Sequence, residues 1–346
     1  AISLHELSDS DMIRVFDDAL DAPGQRAASA TTPPPVRQLI ARLFANEYVS
    51  NIYDPAAGTG LLIGDVCDRV RVNGKTPFLF GQELAIDLVN LARIRAFLGR
   101  CQFDIRAGDT LLEPEFGGRG FDLVVAHPPF GKIDPQIAAD RRFESFKFDS
   151  APTYEVAFLQ HVIASMSIAG RAAVVVPTGV LSRSTDRNLR KEIVEDRILD
   201  AVIGLPPFLF TGTDIAASIL LLRGLEVRGS QDVVFVDLST SIEGPKTRPT
   251  LNETGIAGAI RAVSTRALQP GFAGTAGARD IATCDYDLSV SRYVRRLEQE
   301  SAPLADQILS FTDALAHRDA AELKALTLLA KLSRHRAQAG GKGRKE

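Results

Sequence analysis

The residues best able to do chemistry in this chain are a short glycine loop and the acids that follow it. Asp54-Pro55-Ala56-Ala57-Gly58-Thr59-Gly60 comes after Asn51-Ile52-Tyr53 and before Leu61-Leu62-Ile63, a strand end, a turn and a helix start. Glycines carry no side chain, so a ligand can lie against the backbone where the helix begins. A nucleotide-like cofactor suits such a loop, and a tight turn with no ligand is the plainer alternative. The dinucleotide fingerprint puts its third glycine three residues after the second; here Gly64 arrives one position late, and an Asp-Pro lead is foreign to that fingerprint. A nicotinamide enzyme is therefore the weaker reading. Glu83 stands just past the apolar run 77–81, and Asp109 follows the run 103–105 through Gly108. At those points Glu83 can accept hydrogen bonds from two ribose hydroxyls and Asp109 from an adenine amino group. Taken singly, each acid better suits a solvated loop or a helix cap, since Asp and Glu are common at such junctions, and it is recurrence after three successive strands that marks them. A fourth apolar run, 121–126, ends in His127-Pro128-Pro129-Phe130-Gly131-Lys132.

For these residues to meet, strands must alternate with helices so that the strand ends share one edge of a parallel sheet. Strands are expected at 51–53, 77–81, 103–105, 121–126, 172–176, 199–203 and 218–222. Between them, Val36, Leu39, Ile40 and Leu43 mark one helix after Thr32-Pro33-Pro34-Pro35. Leu84, Leu88, Leu91 and Leu98 mark a second, closed by Gly99, and Val156, Leu159, Ile163 and Met166 a third, closed by Gly170. A short helix is expected over 11–20. The loop after Gly131 interleaves Lys132, Arg141, Arg142 and Lys147 with Phe143, Phe146 and Phe148, as a contact to phosphates flanking an extruded base or as a solvated lid. Leu323, Leu326, Leu329 and Leu332 repeat at helical spacing, and the basic end 337–346 with its glycines is expected to be disordered.

In this order, Thr32-Pro33, Asp54 to Gly60, Glu83, Asp109-Thr110 and the Pro-Pro-Phe loop resemble an amino-group DNA methyltransferase that uses S-adenosyl-L-methionine. Tyr154 to His161, Gly170 to Pro177, Leu205-Pro206 through Ile215 and Asp285 through Tyr293 narrow the resemblance to the modification subunit of type I restriction-modification systems, over residues 31–297. The resemblance implies an α/β fold: a doubly wound, mostly parallel seven-stranded sheet with its last strand inserted antiparallel, and short helical additions at both ends. The implied organisation is an N-terminal helical segment and linker at 1–31, a methyltransferase domain at 32–297, a C-terminal helical segment at 298–337 and a basic tail at 338–346. Asp54, Pro55, Ala56, Gly58, Gly60, Glu83 and Asp109 would hold the cofactor, with Thr32 near its amino-acid end. His127, Pro128, Pro129 and Phe130 would act on a flipped-out adenine at N6, and Lys132, Phe208, Phe210 and Thr213 would contact the DNA or the base. Implied partners are double-stranded DNA and a specificity subunit on which C-terminal helices dock, with a restriction subunit as a further one. A helix folding back on its own domain would explain the C-terminal stripe equally well.

One position departs from the family. Its loop begins with Asn, Asp or Ser, whereas this chain has His127. The amino group of a flipped adenine must meet two acceptors, the first side chain of the loop and the next backbone carbonyl, while the aromatic ring stacks on the base. Asn brings a carbonyl on a short stem; neutral His brings one acceptor nitrogen farther out, and protonated His brings none. Displacing an acceptor by about 1 Å can cost on the order of a hundredfold in rate. Reduced activity is therefore expected, with a catalytically impaired cofactor-binding subunit as the alternative. The plainest role for His127 is a loop histidine bonded to backbone.

With 346 residues, 45% of them hydrophobic, the chain suffices for one large α/β domain. No run is long enough to span a membrane, and the start lacks a basic segment followed by an apolar one, so a cytoplasmic enzyme is expected. Cys67, Cys101 and Cys284 are widely spaced and odd in number, which speaks against a disulfide framework or a zinc site. A formal net charge of -3 is poor for gripping phosphates unaided, so a local basic face or a partner must supply the hold on DNA.

Overall fold

The computed structural model describes residues 8–22, 31–70, 76–133, 153–210, 215–227, 232–244 and 249–294. All seven expected strands form: β1 (Asn51–Asp54), β2 (Phe78–Glu83), β3 (Phe103–Ala107), β4 (Phe121–Ala126), β5 (Met166–Pro177), β6 (Leu199–Gly204) and β7 (Ala217–Arg223). Beyond them lie β8 (Val233–Asp237), a small antiparallel pair of β9 (Ile242–Glu243) and β10 (Thr250–Leu251), and β11 (Ala273–Ala276). The main sheet therefore has nine strands rather than seven, in the order β11-β8-β6-β7-β5-β4-β1-β2-β3. β7 runs antiparallel between β5 and β6, as expected, and β8 pairs parallel to β6. β8, which lies beyond the seven expected strands, is buried over Val233 to Val236. Ala-Gly-Thr-Ala has almost no intrinsic strand preference and forms β11 because it pairs antiparallel along β8. At the other end of the sheet β3 is the edge, and it carries Asp104 and Arg106, joined at 2.6 Å, with Arg106 also 3.0 Å from Glu115.

Helices cover both faces, and the central strands are mostly apolar, β7 being buried at every residue, as burial on two sides requires. α1 (Asp9–Leu20) starts at Ser8, whose hydroxyl accepts from the Asp11 amide at 3.2 Å. α2 (Pro34–Leu43) begins on prolines, which fit the first turn because no partner is lost there. α3 (Leu61–Val70) and α4 (Ile86–Leu98) pack with α2 on one face, where Val36, Leu39, Ile63 and Val66 meet Ile52 and Leu79. α5 (Tyr154–Ser165) and α6 (Arg187–Glu195) lie on the other, with Val156, Leu159, Leu189 and Ile193 against Val124 and Val174. α7 (Glu253–Thr265), α8 (Ala278–Thr283) and α9 (Val290–Tyr293) complete the described helices.

Two helical expectations change. The buried face of α4 is Val89, Ala92, Arg95 and Ala96, not the leucine stripe, and Leu84 is 71% exposed. Small residues are needed there because a Cβ at Gly60 would lie 2.8 Å from Ala92 Cα, so the turn after β1 and α4 touch backbone to backbone. α5 ends at Ser165, one residue before Met166, which opens β5, and Gly170 lies inside that strand. Its lack of a side chain serves strand packing rather than a helix cap, since a Cβ there would meet the Phe121 carbonyl oxygen at 2.5 Å. The expected contacts of Arg141, Arg142, Phe143, Phe146, Lys147 and Phe148, together with Thr213 and everything beyond 294, lie outside the described residues.

Candidate active site

The C-terminal ends of β1 to β4 open onto a cleft of about 520 Å³, within the size range of small-molecule sites. The loop after β1 is fixed by its own polar groups. The buried Asp54 carboxylate accepts from the Ala56 amide at 3.0 Å, and the Thr110 hydroxyl donates to the Pro55 carbonyl at 2.6 Å. Burial, with the charge of Glu83 adding to it, pushes the Asp54 carboxyl up to about 7. Gly58 adopts φ +52°, where a glycine is favoured, and its amide donates to Glu83 at 3.0 Å. The other Glu83 oxygen accepts from the Ala85 amide at 2.9 Å, so this carboxylate is held rigidly beside the glycine loop. Asp109 accepts from the amides of Leu111 and Leu112 at 2.9 and 3.2 Å. Glu83 and Asp109 are the charged side chains of the cleft wall, and among the described residues no lysine or arginine lines it.

The loop after β4 is anchored from the opposite side. Gly131, at φ +125°, donates its amide to Glu155 at 3.0 Å and accepts from the Tyr154 amide at 2.7 Å, so the start of α5 clamps the end of the loop. Glu155 is buried and pairs with Arg183 at 3.0 Å, which in turn holds Asp186 at 2.7 Å. His127 packs against Phe130 and Phe210, with ring centroids 5.5 and 5.2 Å away. Its Nδ1 is 3.1 Å from the Thr32 hydroxyl, and Arg37 donates to the Thr32 carbonyl at 2.7 Å. The imidazole is largely enclosed but opens to the cleft, and desolvation lowers its pKa to about 4, so it is neutral near pH 7.

Of the residues singled out in the sequence, Pro55, Ala56, Gly58, Glu83, Asp109, His127, Pro128, Pro129, Phe130 and Phe210 line the cleft together. Asp54 and Gly60 stand behind it, one shaping the turn and the other against Ala92. Thr31 rather than Thr32 is in the wall, and Thr32 reaches His127 instead. Phe208 is outside the cleft, 57% exposed and at φ +64°. Lys132 is exposed, in a β-bridge with Thr153. Leu84, Leu88, Tyr154 and Phe158 are wall residues that sequence reasoning did not assign to the site. Glu155 had a signal: an acid within the apolar stretch of α5 demands a buried partner.

A family model described as N-6 DNA Methylase matches residues 18–302. The chain is 29% identical to the type I restriction enzyme MpnII methylase subunit of Mycoplasma pneumoniae, over 83% of this chain and 56% of that one. It is 27% identical to the HindI methylase subunit of Haemophilus influenzae, over 88% and 73%. Among solved structures, the type I restriction-modification methyltransferase subunit from Streptococcus thermophilus superposes with a TM-score of 0.71 at 30% identity, over 77% of this chain and 59% of that one. The chain thus spans little more than half the length of the first and the last of these relatives.

Proposed function

The chain belongs to the N-6 DNA methylase family, and from that premise we propose that it transfers a methyl group from S-adenosyl-L-methionine to N6 of a flipped-out adenine in DNA, as the modification subunit of a type I restriction-modification complex. The observation that carries this reading is the charge of the cleft: two carboxylates, Glu83 and Asp109, with no lysine or arginine beside them among the described residues. Such walls repel a phosphate-bearing nucleotide and suit an adenosine that carries a sulfonium and an ammonium. Glu83 would take the ribose hydroxyls and Asp109 the adenine amino group, with Leu84 and Leu88 along the apolar part. When bound, the cofactor supplies an electrophilic methyl group.

The chain's own part is to present the nitrogen. The His127 imidazole would accept one amino hydrogen and the Pro128 carbonyl the other, with Phe130 against the base and Phe210 behind the imidazole. A ring nitrogen farther out than an amide carbonyl makes transfer slower than an Asn would. A net charge of -3 leaves the phosphate contacts to a specificity subunit.

The test is transfer of labelled methyl groups to DNA, with and without a specificity subunit, alongside calorimetric titration with S-adenosyl-L-methionine. Wild type should transfer slowly in the complex, His127→Asn faster, and Gly58→Val should lose both cofactor heat and transfer, because a branched residue is strained at that φ. Cofactor heat without transfer by either wild type or His127→Asn would favour the second reading, a catalytically impaired cofactor-binding subunit, for which His127 is the evidence. Absence of cofactor heat would overturn both.

A further inference from the structure

We propose that Glu155 is a positioning residue for the ring of Phe130: its buried carboxylate holds the peptide that leaves Phe130, and Arg183 holds the carboxylate. The inference rests on the adenine-methylating reading for what Phe130 meets, but the hold itself can be measured without it.

The Gly131 amide belongs to the peptide unit that Phe130 begins, so whatever fixes that N–H fixes the backbone on which the ring is carried. Its donation to Glu155 Oε2 at 3.0 Å orients this first peptide plane, and the Gly131 carbonyl, accepting from the Tyr154 amide at 2.7 Å, orients the next. Two successive planes are thus set by one turn of α5. The rotation between them includes φ +125° at Gly131, which L side chains rarely adopt, although a Cβ there would meet nothing within 4 Å. The glycine therefore serves the conformation and not a shortage of room. Tyr154 and Phe158 of the same helix line the cleft with Phe130, so the clamp joins two parts of one wall.

This place calls for a carboxylate. Both partners of Glu155 are donors, the Gly131 N–H on Oε2 and Arg183 Nη2 on Oε1 at 3.0 Å. A glutamine of the same shape has one acceptor and one donor, so its NH2 group would face an N–H on one side or the other. With Glu155 only 2% exposed, water has no room to repair that mismatch. Arg183 is fixed in turn, its Nε donating to Asp186 at 2.7 Å and its carbonyl accepting from Arg190 Nη1 at 2.7 Å. From Asp186 through Arg183 and Glu155 to Gly131, every donor meets an acceptor.

The full chain labelled with 15N-glycine reports the hold directly, the Gly131 signal being assigned by its absence in Gly131→Ala. Gly131 is exposed, so the bond to Glu155 is what shields its amide, and hydrogen exchange there should quicken about tenfold or more in Glu155→Gln. In the complex with a specificity subunit, kcat for methyl transfer should fall about tenfold in the same variant, while cofactor heat and exchange at Gly58 and Gly60 stay as in wild type. Arg183→Met should show both effects more weakly, and Arg183→Lys, which restores a cation but not the fork, should recover part of them. Loss of cofactor heat with faster exchange at Gly58 and Gly60 as well as Gly131 would make Glu155 a support of the whole fold and overturn the proposal. So would unchanged exchange at Gly131, or faster exchange there with kcat unaltered. If Glu155→Gln does not fold, the two Arg183 variants decide, and wild-type exchange and kcat in both overturn it. A wild type that transfers no methyl group, yet loses protection at Gly131 alone in Glu155→Gln, upholds the hold of Glu155 and counts only against the adenine reading.

Discussion

His127 is committed to the neutral state by its surroundings, and that has a cost on the acid side. Its folded pKa is near 4, below the ordinary 6.5, because burial disfavours the imidazolium. Below pH 6.5 the unfolded chain binds a proton here that the folded chain refuses, so this stability is present above pH 6.5 and drains away as the pH falls toward 4. Discounted for the side open to the cleft, the loss by pH 5 is about 1 kcal/mol. His127→Asn should therefore gain thermal stability over wild type at pH 5 and not at pH 7.5, as differential scanning calorimetry would read. At this scale the sequence was informative wherever the chemistry was local. The glycine loop, both acids and the Pro-Pro-Phe turn each sit within a few residues of a strand end, and all of them reach the cleft. The link from Thr32 to His127 crosses 95 residues and leaves no local pattern. Phe208 and Phe210 look equivalent on paper, but the left-handed backbone at Phe208 turns one ring out while its neighbour packs against His127.

Elements were legible where apolar periodicity and burial agree, and α4 is where they part. One of its leucines, Leu88, lines the cleft, while its buried face centres on Arg95, a charge that no hydrophobic pattern would place inside. Arg95 meets Asp17 at 2.7 Å and Asp68 at 2.8 Å and so joins α4 to α1 and α3. The same contact explains Gly64, the glycine that fell one place late for a dinucleotide loop. A Cβ there would stand 3.0 Å from the Arg95 guanidinium carbon, so Gly64 makes room for the side chain. Arg95→Met keeps much of the volume and abandons several carboxylates in a poorly solvated place, which should cost about 3–5 kcal/mol. Urea unfolding would measure the loss. Limited proteolysis should then cut within α1, whereas Asp17→Asn, which leaves Arg95 its other partners, should be milder on both counts. An unchanged unfolding midpoint in Arg95→Met would show that this network does not hold α1.

At the scale of the sheet, the alternation of strand and helix was enough to place a cleft, because in such sheets clefts open beyond the carboxyl ends of the strands. The two added strands lengthen the sheet on the side away from β3 and leave the cleft-forming strands untouched. One end of that sheet is β11, four residues long and itself a poor template. The other end is β3, and there the cross-linked Asp104 and Arg106 take on a second meaning. An open strand edge invites another chain to pair with it, and charged side chains on the edge discourage the approach. With Asp104→Thr and Arg106→Val together, β3 becomes a plain β-branched template. The variant should stay folded when dilute yet scatter light on concentration or gentle warming, with a rising intermolecular β signal in the infrared, while wild type stays clear. The ion pair at the edge, worth little to the stability of one molecule, would then be what keeps a concentrated solution of them from becoming a fibre.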